Sequence, residues 1–279
     1  MGQSLSPNFF PMCWWNSNDP TSVKTIATGF TELDGMIRGG VKPGALIVVA
    51  ARPSLGKTAL ALNIGRSMAG DGHPVQIVSY EMTAEELIER MLSTQARVPT
   101  EEFRVMRNSI ADAARVIHQL PIRIDDSQPN INQLVASIRL GARKGVKVVI
   151  VDYLQLVPSD DPKANRETQV AGVSRKLKQV ALSTGVSIIA LSQLNRAVEL
   201  RDNPRPRLAD LRESGAIEQD ADLVWLLWRP NKGSDTAKDD VAAIDIAKQR
   251  NGRTGVIHLA WHGPTTTFAN RDEWTAGHF

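Results

Sequence analysis

The chain of 279 residues is 42% hydrophobic and carries 33 Lys and Arg against 30 Asp and Glu, a net charge of +3. That composition excludes wholesale disorder and suits one large α/β domain with extensions; the longest apolar runs, Ala45–Ala51 and Leu223–Trp228, fall far short of the roughly 18 residues of a membrane span. A lone cysteine, Cys13, excludes an intramolecular disulfide framework and a Cys-cluster zinc site, and with no basic signal region the expected compartment is the cytoplasm.

Residues 1–22 hold Pro7, Pro11, Pro20 and the pairs Phe9-Phe10 and Trp14-Trp15 without a clear period. They are expected to be an extension, either mobile or docked through its aromatics. From there to residue 274, β-rich runs alternate with helical patterns, the sign of a single α/β domain with a mostly parallel sheet covered on both faces; 275–279 reads as a tail. Strands are predicted at Leu46–Ala50, Val75–Tyr80, Val146–Asp152, Val186–Ser192, Leu223–Trp228, Ala243–Ala247 and Val256–Trp261. The last two alternate and lie close together, which predicts an antiparallel hairpin at the sheet edge, turned at Asn251-Gly252.

Among the helices, Thr83-Ala84-Glu85-Glu86 predicts a capping box ahead of buried Leu87, Met91 and Leu92. Asn130 predicts an N-cap for a helix that buries Leu134, Ile138 and Leu140 and stops at Gly145. A third helix is predicted from Arg166 to Thr184, with Val173, Leu177 and Val180 inward and Gly185 as its end. Its Arg175, Lys176 and Lys178 are expected to form a solvated face, and Trp225 and Trp228 to lie in the core.

Ala51-Arg52-Pro53-Ser54-Leu55-Gly56-Lys57-Thr58 follows a predicted strand and opens a predicted helix. It fits the phosphate-binding loop except that Ala51 stands where the first Gly is usual. Backbone N–H groups of such a loop and helix start, Ser54, Gly56 and Ala59 here, point at phosphate oxygens. Lys57 supplies a positive charge to the β- and γ-phosphates, and the Thr58 hydroxyl can ligate Mg²⁺. Asp152 ends a hydrophobic strand beside the loop and is expected to hold the Mg²⁺ shell. Spacing alone leaves Glu81 open between a base that polarises the attacking water and the start of the next helix. It likewise leaves Gln193 open as an amide at the γ-phosphate, and Lys248-Gln249-Arg250 as the polar start of a hairpin turn.

Taken together, Ala51–Thr58, Ser79-Tyr-Glu-Met82, Val151-Asp-Tyr-Leu-Gln-Leu156, Ser192-Gln-Leu-Asn-Arg196, Asp210–Asp222 and Lys248-Gln-Arg-Asn-Gly252 occur in an order that resembles the C-terminal motor domain of DnaB-type replicative helicases. The likeness spans roughly Thr25 to Asn270. It implies a RecA-like P-loop NTPase fold, Mg-ATP on Lys57, Thr58 and Asp152, Glu81 as catalytic base and Gln193 as γ-phosphate sensor. It also implies Lys248 and Arg250 reaching the neighbouring subunit's ATP, Arg250 as an arginine finger, in a homo-oligomer that is expected to be a hexameric ring on single-stranded DNA. Arg212, Glu213 and Gly215 match the family's loop on the strand's phosphates. The wider segment 196–213 holds five Arg against four acids, so it forms no positive patch by itself.

Family members usually carry an N-terminal helical collar and a linker helix. Only about 22 residues precede the motor here, so a primase-binding collar is expected to be absent, which leaves primase or loader partners open, and Phe9, Phe10, Trp14 and Trp15 stand as a substitute anchor or a free tail. The resulting expectation is an ATP-driven helicase motor. The alternatives are a recombinase- or clock-type ATPase without unwinding, and an ATP-switched loader-like module.

Overall fold

The computed structural model describes residues 24–201, 204–211, 215–230 and 241–272. The extension 1–22 and the tail 275–279 lie outside the described residues, as do Arg212 and Glu213. In chain order the elements are α1 (Thr31–Met36), β1 (Leu46–Ala51), α2 (Lys57–Gly70), β2 (Val75–Ser79), α3 (Ala84–Ala96), α4 (Arg107–Gln119), β3 (Ile122–Asp125), α5 (Ile131–Arg143), β4 (Val148–Asp152), α6 (Arg166–Thr184), β5 (Ser187–Gln193), α7 (Gly215–Asp220), β6 (Leu223–Trp228), β7 (Val241–Gln249), β8 (Gly255–His262) and β9 (Thr267–Asn270).

One nine-stranded sheet runs β3-β2-β4-β5-β1-β6-β7-β8-β9. Strands β3 through β6 pair in parallel, and β6 to β9 pair antiparallel. The parallel strands β1, β2, β4, β5 and β6 are buried on both faces because both are covered, while the edge strand β3 is only partly buried. Ile47 and Val49 of β1 pack on the side of α2, while Leu46, Val48 and Ala50 pack on the side of α5 and α6. The helix starts obey local chemistry. Thr83 and Glu86 form a reciprocal capping box on α3, Asn130 and Gln133 form another on α5, and Asn165 caps α6. Gly185 ends α6 at φ 73°, the left-handed region that a side chain resists.

The structure corrects the reading of the sequence in five places. The β7–β8 hairpin is not the edge, because β9 adds one more strand outside it. Leu140 is 48% exposed, one position off the buried stripe set by Leu134 and Ile138. Leu92 and Trp228 are only half-buried, although Trp225 is fully buried. Lys178 does not stand in water: it is bonded to Asp222, as described below.

Candidate active site

Strand β1 ends at Ala51 and the chain turns through 52–56 into α2. Ser54 at φ 62° and Gly56 at φ 94° are left-handed, the backbone pattern of an anion-binding nest. A Cβ on Gly56 would lie 3.0 Å from Phe268 Cζ and 3.2 Å from Trp261 Cη2, so close packing from the antiparallel strands also demands glycine. Ala59 is buried in the first turn of α2. The loop is laced to its neighbour strand: Arg52 Nη1 donates to the Leu194 carbonyl at 2.8 Å, and its Nε and Nη2 donate to the Glu199 carboxylate at 3.0 and 3.2 Å.

The loop borders a cleft of about 580 Å³ lined among others by Ser54, Gly56, Lys57, Thr58, Glu81 and Gln193. Lys57 Nζ lies 3.7 Å from Asp152 Oδ1 and 4.2 Å from the centre of the Tyr153 ring. Burial pushes the Lys57 ammonium below the usual lysine range, a cost that the Asp152 and Glu81 carboxylates partly offset. Thr58 Oγ1 donates to Asp152 Oδ2 at 2.6 Å, while Asp152 Oδ1, buried, accepts no hydrogen bond. A hydroxyl beside a buried carboxylate with an unused oxygen is a hard-oxygen set that fits Mg²⁺. Among the described residues no three His, Cys, Asp or Glu come together, and a Mg²⁺ here would draw the rest of its shell from water or phosphate oxygens.

Glu81 stands on the bend between β2 and α3, two residues ahead of the Thr83 cap and therefore outside the helix. Ser79 shapes that bend, its hydroxyl donating to the Met82 carbonyl at 2.7 Å and accepting from Met82 N–H at 3.1 Å. Gln193 ends β5 on the same rim. The cleft thus brings together Ser54, Gly56, Lys57, Thr58, Glu81 and Gln193, with Asp152 at its base. It also includes Arg90 and Tyr153, which spacing did not single out. Burial, then the neighbouring Glu81 and Asp152 charges, raise the Tyr153 hydroxyl above the usual tyrosine range.

Lys248 and Arg250 lie elsewhere. Leu223 pairs with Gln249 at the end of the sheet where β1 begins, whereas Ala51 pairs with Leu227 at the phosphate-loop end. The two ends are separated by the length of β1, about 17 Å at roughly 3.3 Å per residue. Lys248 Nζ donates to the Glu218 carbonyl and Arg250 Nη2 to the Gln219 carbonyl at 2.7 Å, both near the C-terminus of α7 where carbonyls lack helical partners. Arg250 Nη1 is 3.4 Å from Asp222 Oδ1. Asp222 Oδ2 accepts from Lys178 Nζ at 2.5 Å and from Leu46 N–H at 2.8 Å. Burial and the adjacent Arg250 lower Lys248, against the pull of Glu218, Asp222 and Asp220.

Gly215 opens α7, next to the undescribed Arg212 and Glu213. Leu211, just before that segment, forms a β-bridge with Leu194, the residue after Gln193. Two cations around it are paired: Arg201 forks onto the buried Asp210, and Arg205 Nη2 reaches Asp245 at 2.8 Å.

Residues 25–270 match the family described as DnaB-like helicase C terminal domain. The replicative DNA helicase DnaB of Geobacillus stearothermophilus is 40% identical over 267 residues, which cover 91% of this chain and 58% of that protein. The chain therefore spans a little over half the length of the curated relatives it matches. The solved ATPase domain of G40P is similar at a TM-score of 0.85 and 34% identity, over 91% of this chain and 94% of that one. A DnaB-like replicative helicase, described with its interactions with primase, gives a TM-score of 0.84 at 34% identity, over 91% and 65% of the two chains. Among the described residues no helix is long and apolar enough to cross a membrane.

Proposed function

The chain belongs to the DnaB-like helicase C-terminal domain family, and on that premise we propose that it is an ATP-driven motor that works as a ring, with a hexamer as the expected size, and moves along single-stranded DNA to unwind duplex. The Ser54–Ala59 backbone cradles the phosphates and Lys57 meets the β- and γ-oxygens. Thr58 and Asp152 would hold Mg²⁺, which when bound neutralises phosphate charge. Glu81 takes the proton of the attacking water as its oxygen bonds to the γ-phosphorus. The bond to the bridging oxygen breaks, leaving ADP and phosphate. Gln193 hydrogen-bonds the γ-phosphate, and Arg212, Glu213 and Gly215 carry the contact to the strand's phosphates, which grips without reading sequence.

The observation that carries this reading is the placement of Lys248 and Arg250 a full strand length from their own cleft. If Arg250 serves phosphoryl transfer, it can do so only in another protomer's cleft, which makes assembly a condition of turnover. The test is mass in solution with and without a non-hydrolysable Mg-ATP analogue, together with ATPase rate and fork unwinding with and without single-stranded DNA. The expected result is a nucleotide-favoured ring whose hydrolysis is stimulated by the strand. A monomer that hydrolyses at full rate would overturn it. Slow hydrolysis indifferent to DNA would favour the ATP-switched module.

A further inference from the structure

Strand β4 has to stop at Asp152, because the chain turns there to present the carboxylate and then enters a short 3₁₀ turn at Leu154–Leu156. Its last registered pair with β5 is Val151 with Ala190. β5 continues to Gln193 and remains paired on its other side, Gln193 with Ala51 of β1. Successive residues of a strand direct their main-chain groups to alternate sides. Leu194 N–H donates to the Ala51 carbonyl at 3.0 Å, on the β1 side. Gln193 N–H and C=O therefore face the side that β4 has already left.

Gln155 fills that place. Its side-chain Oε1 accepts from Gln193 N–H at 3.3 Å, and its Nε2 donates to the Gln193 carbonyl at 3.4 Å and to Ser192 Oγ at 2.9 Å. The residue is 8% exposed. A side-chain amide offers the same donor and acceptor as a peptide unit, so it can continue a ladder that the main chain has abandoned. Without it, Gln193 N–H and C=O would lose their partners beside the cleft.

We propose that Gln155 is a positioning residue for γ-phosphate sensing: it holds the Gln193 backbone in strand geometry so that the Gln193 amide stands at the γ-phosphate. This rests on the reading of Gln193 as sensor given above. Gln155 lies three residues after Asp152, so one short turn sets both the carboxylate beside Thr58 and the tip of the neighbouring strand.

The experiment compares Gln155→Met, Gln193→Ala and the double variant in the full chain, reading kcat for ATP, KM and the affinity for ADP, which has no γ-phosphate. Gln155→Met keeps the volume and removes the amide. Its kcat is expected to fall roughly tenfold or more, since misplacement of a group by about 1 Å can cost up to 10²-fold. ADP affinity is expected to stay within about twofold, and the double variant is expected to be no slower than Gln193→Ala alone, the mark of two residues acting as a unit. Gln155→Glu keeps the acceptor for Gln193 N–H but sets a second acceptor against the Gln193 carbonyl, and its kcat is expected to fall as well, with ADP affinity unchanged. If Gln155→Met does not fold, Gln155→Glu decides: reduced kcat with unchanged ADP affinity supports the proposal, and unmodified kcat overturns it. Additive losses, or equal losses of ADP and ATP binding, would reduce Gln155 to a packing role and overturn it too. If Gln193→Ala retains full kcat, the sensor reading itself has failed and this proposal falls with it; if Gln193→Ala loses activity and Gln155→Met does not, only the proposal has failed.

Discussion

The two ends of the central sheet handle charge in opposite ways. At the end where β1 runs into the phosphate loop, the charges are incompletely answered: Lys57 is buried at a cost, and Asp152 Oδ1 is buried without a hydrogen bond. At the other end every cation named above has protein partners. Lys178 and Arg250 share Asp222, and Lys248 and Arg250 donate to carbonyls near the end of α7. The first end has the character of a site that a polyanion completes. The second holds its cations on main-chain oxygens and one carboxylate, acceptors that phosphate oxygens can outbid.

The contrast can be broken most severely at the cleft. Lys57→Ala should lower ATP turnover by roughly 10³-fold or more, measured by phosphate release, since a charge aimed at the transition state is lost. Retained turnover would remove the phosphate-loop assignment. Arg250→Ala should lower turnover by roughly 10³-fold while nucleotide affinity stays within a few-fold. Mixing it with a Glu81→Ala chain should restore part of the activity, because some interfaces then join an intact cleft to an intact finger. No recovery on mixing would place Arg250 outside its neighbour's site.

Stability gives smaller effects. Asp222→Ala strands the largely buried Lys178 ammonium and leaves Leu46 N–H without its carboxylate acceptor. A loss of about 2 kcal/mol is expected in denaturant unfolding. Gly56→Ala should cost about 1–2 kcal/mol from its positive φ and its contact with Phe268 and Trp261, read as a lower melting temperature with weaker ATP binding. If Asp222→Ala leaves stability unchanged, the far end is less tightly paired than its distances indicate.

What was legible in the sequence follows from how local the cause is. The apolar runs of β1, β4, β5 and β6 and the caps at Thr83 and Asn130 depend on near neighbours, and the structure has them at or near those positions. β3 and β9 escaped notice because Ile-Arg-Ile-Asp and Thr-Phe-Ala-Asn carry polar residues that only the sheet explains. Helix α4 also escaped notice, although its spaced apolar residues Ile110, Ala113 and Ile117 were legible. Lys178 was misread because its partner Asp222 lies 44 residues away. Most cleft residues could be named from motif order, but the role of Gln155 could not, although it lies within the Val151–Leu156 motif. Its partners are the Gln193 main chain 38 residues on and the Ser192 hydroxyl beside it, and no side-chain pattern reports a backbone vacancy.

The Leu194–Leu211 bridge fixes Leu211 to the tip of β5, through a residue adjacent to Gln193. Further along the chain, α7 (Gly215–Asp220) holds Lys248 and Arg250 on its carbonyls. On the proposed reading, the first point lies beside a protomer's own nucleotide and the second beside its neighbour's, so the two fuel states meet between Leu211 and Asp220 of one chain.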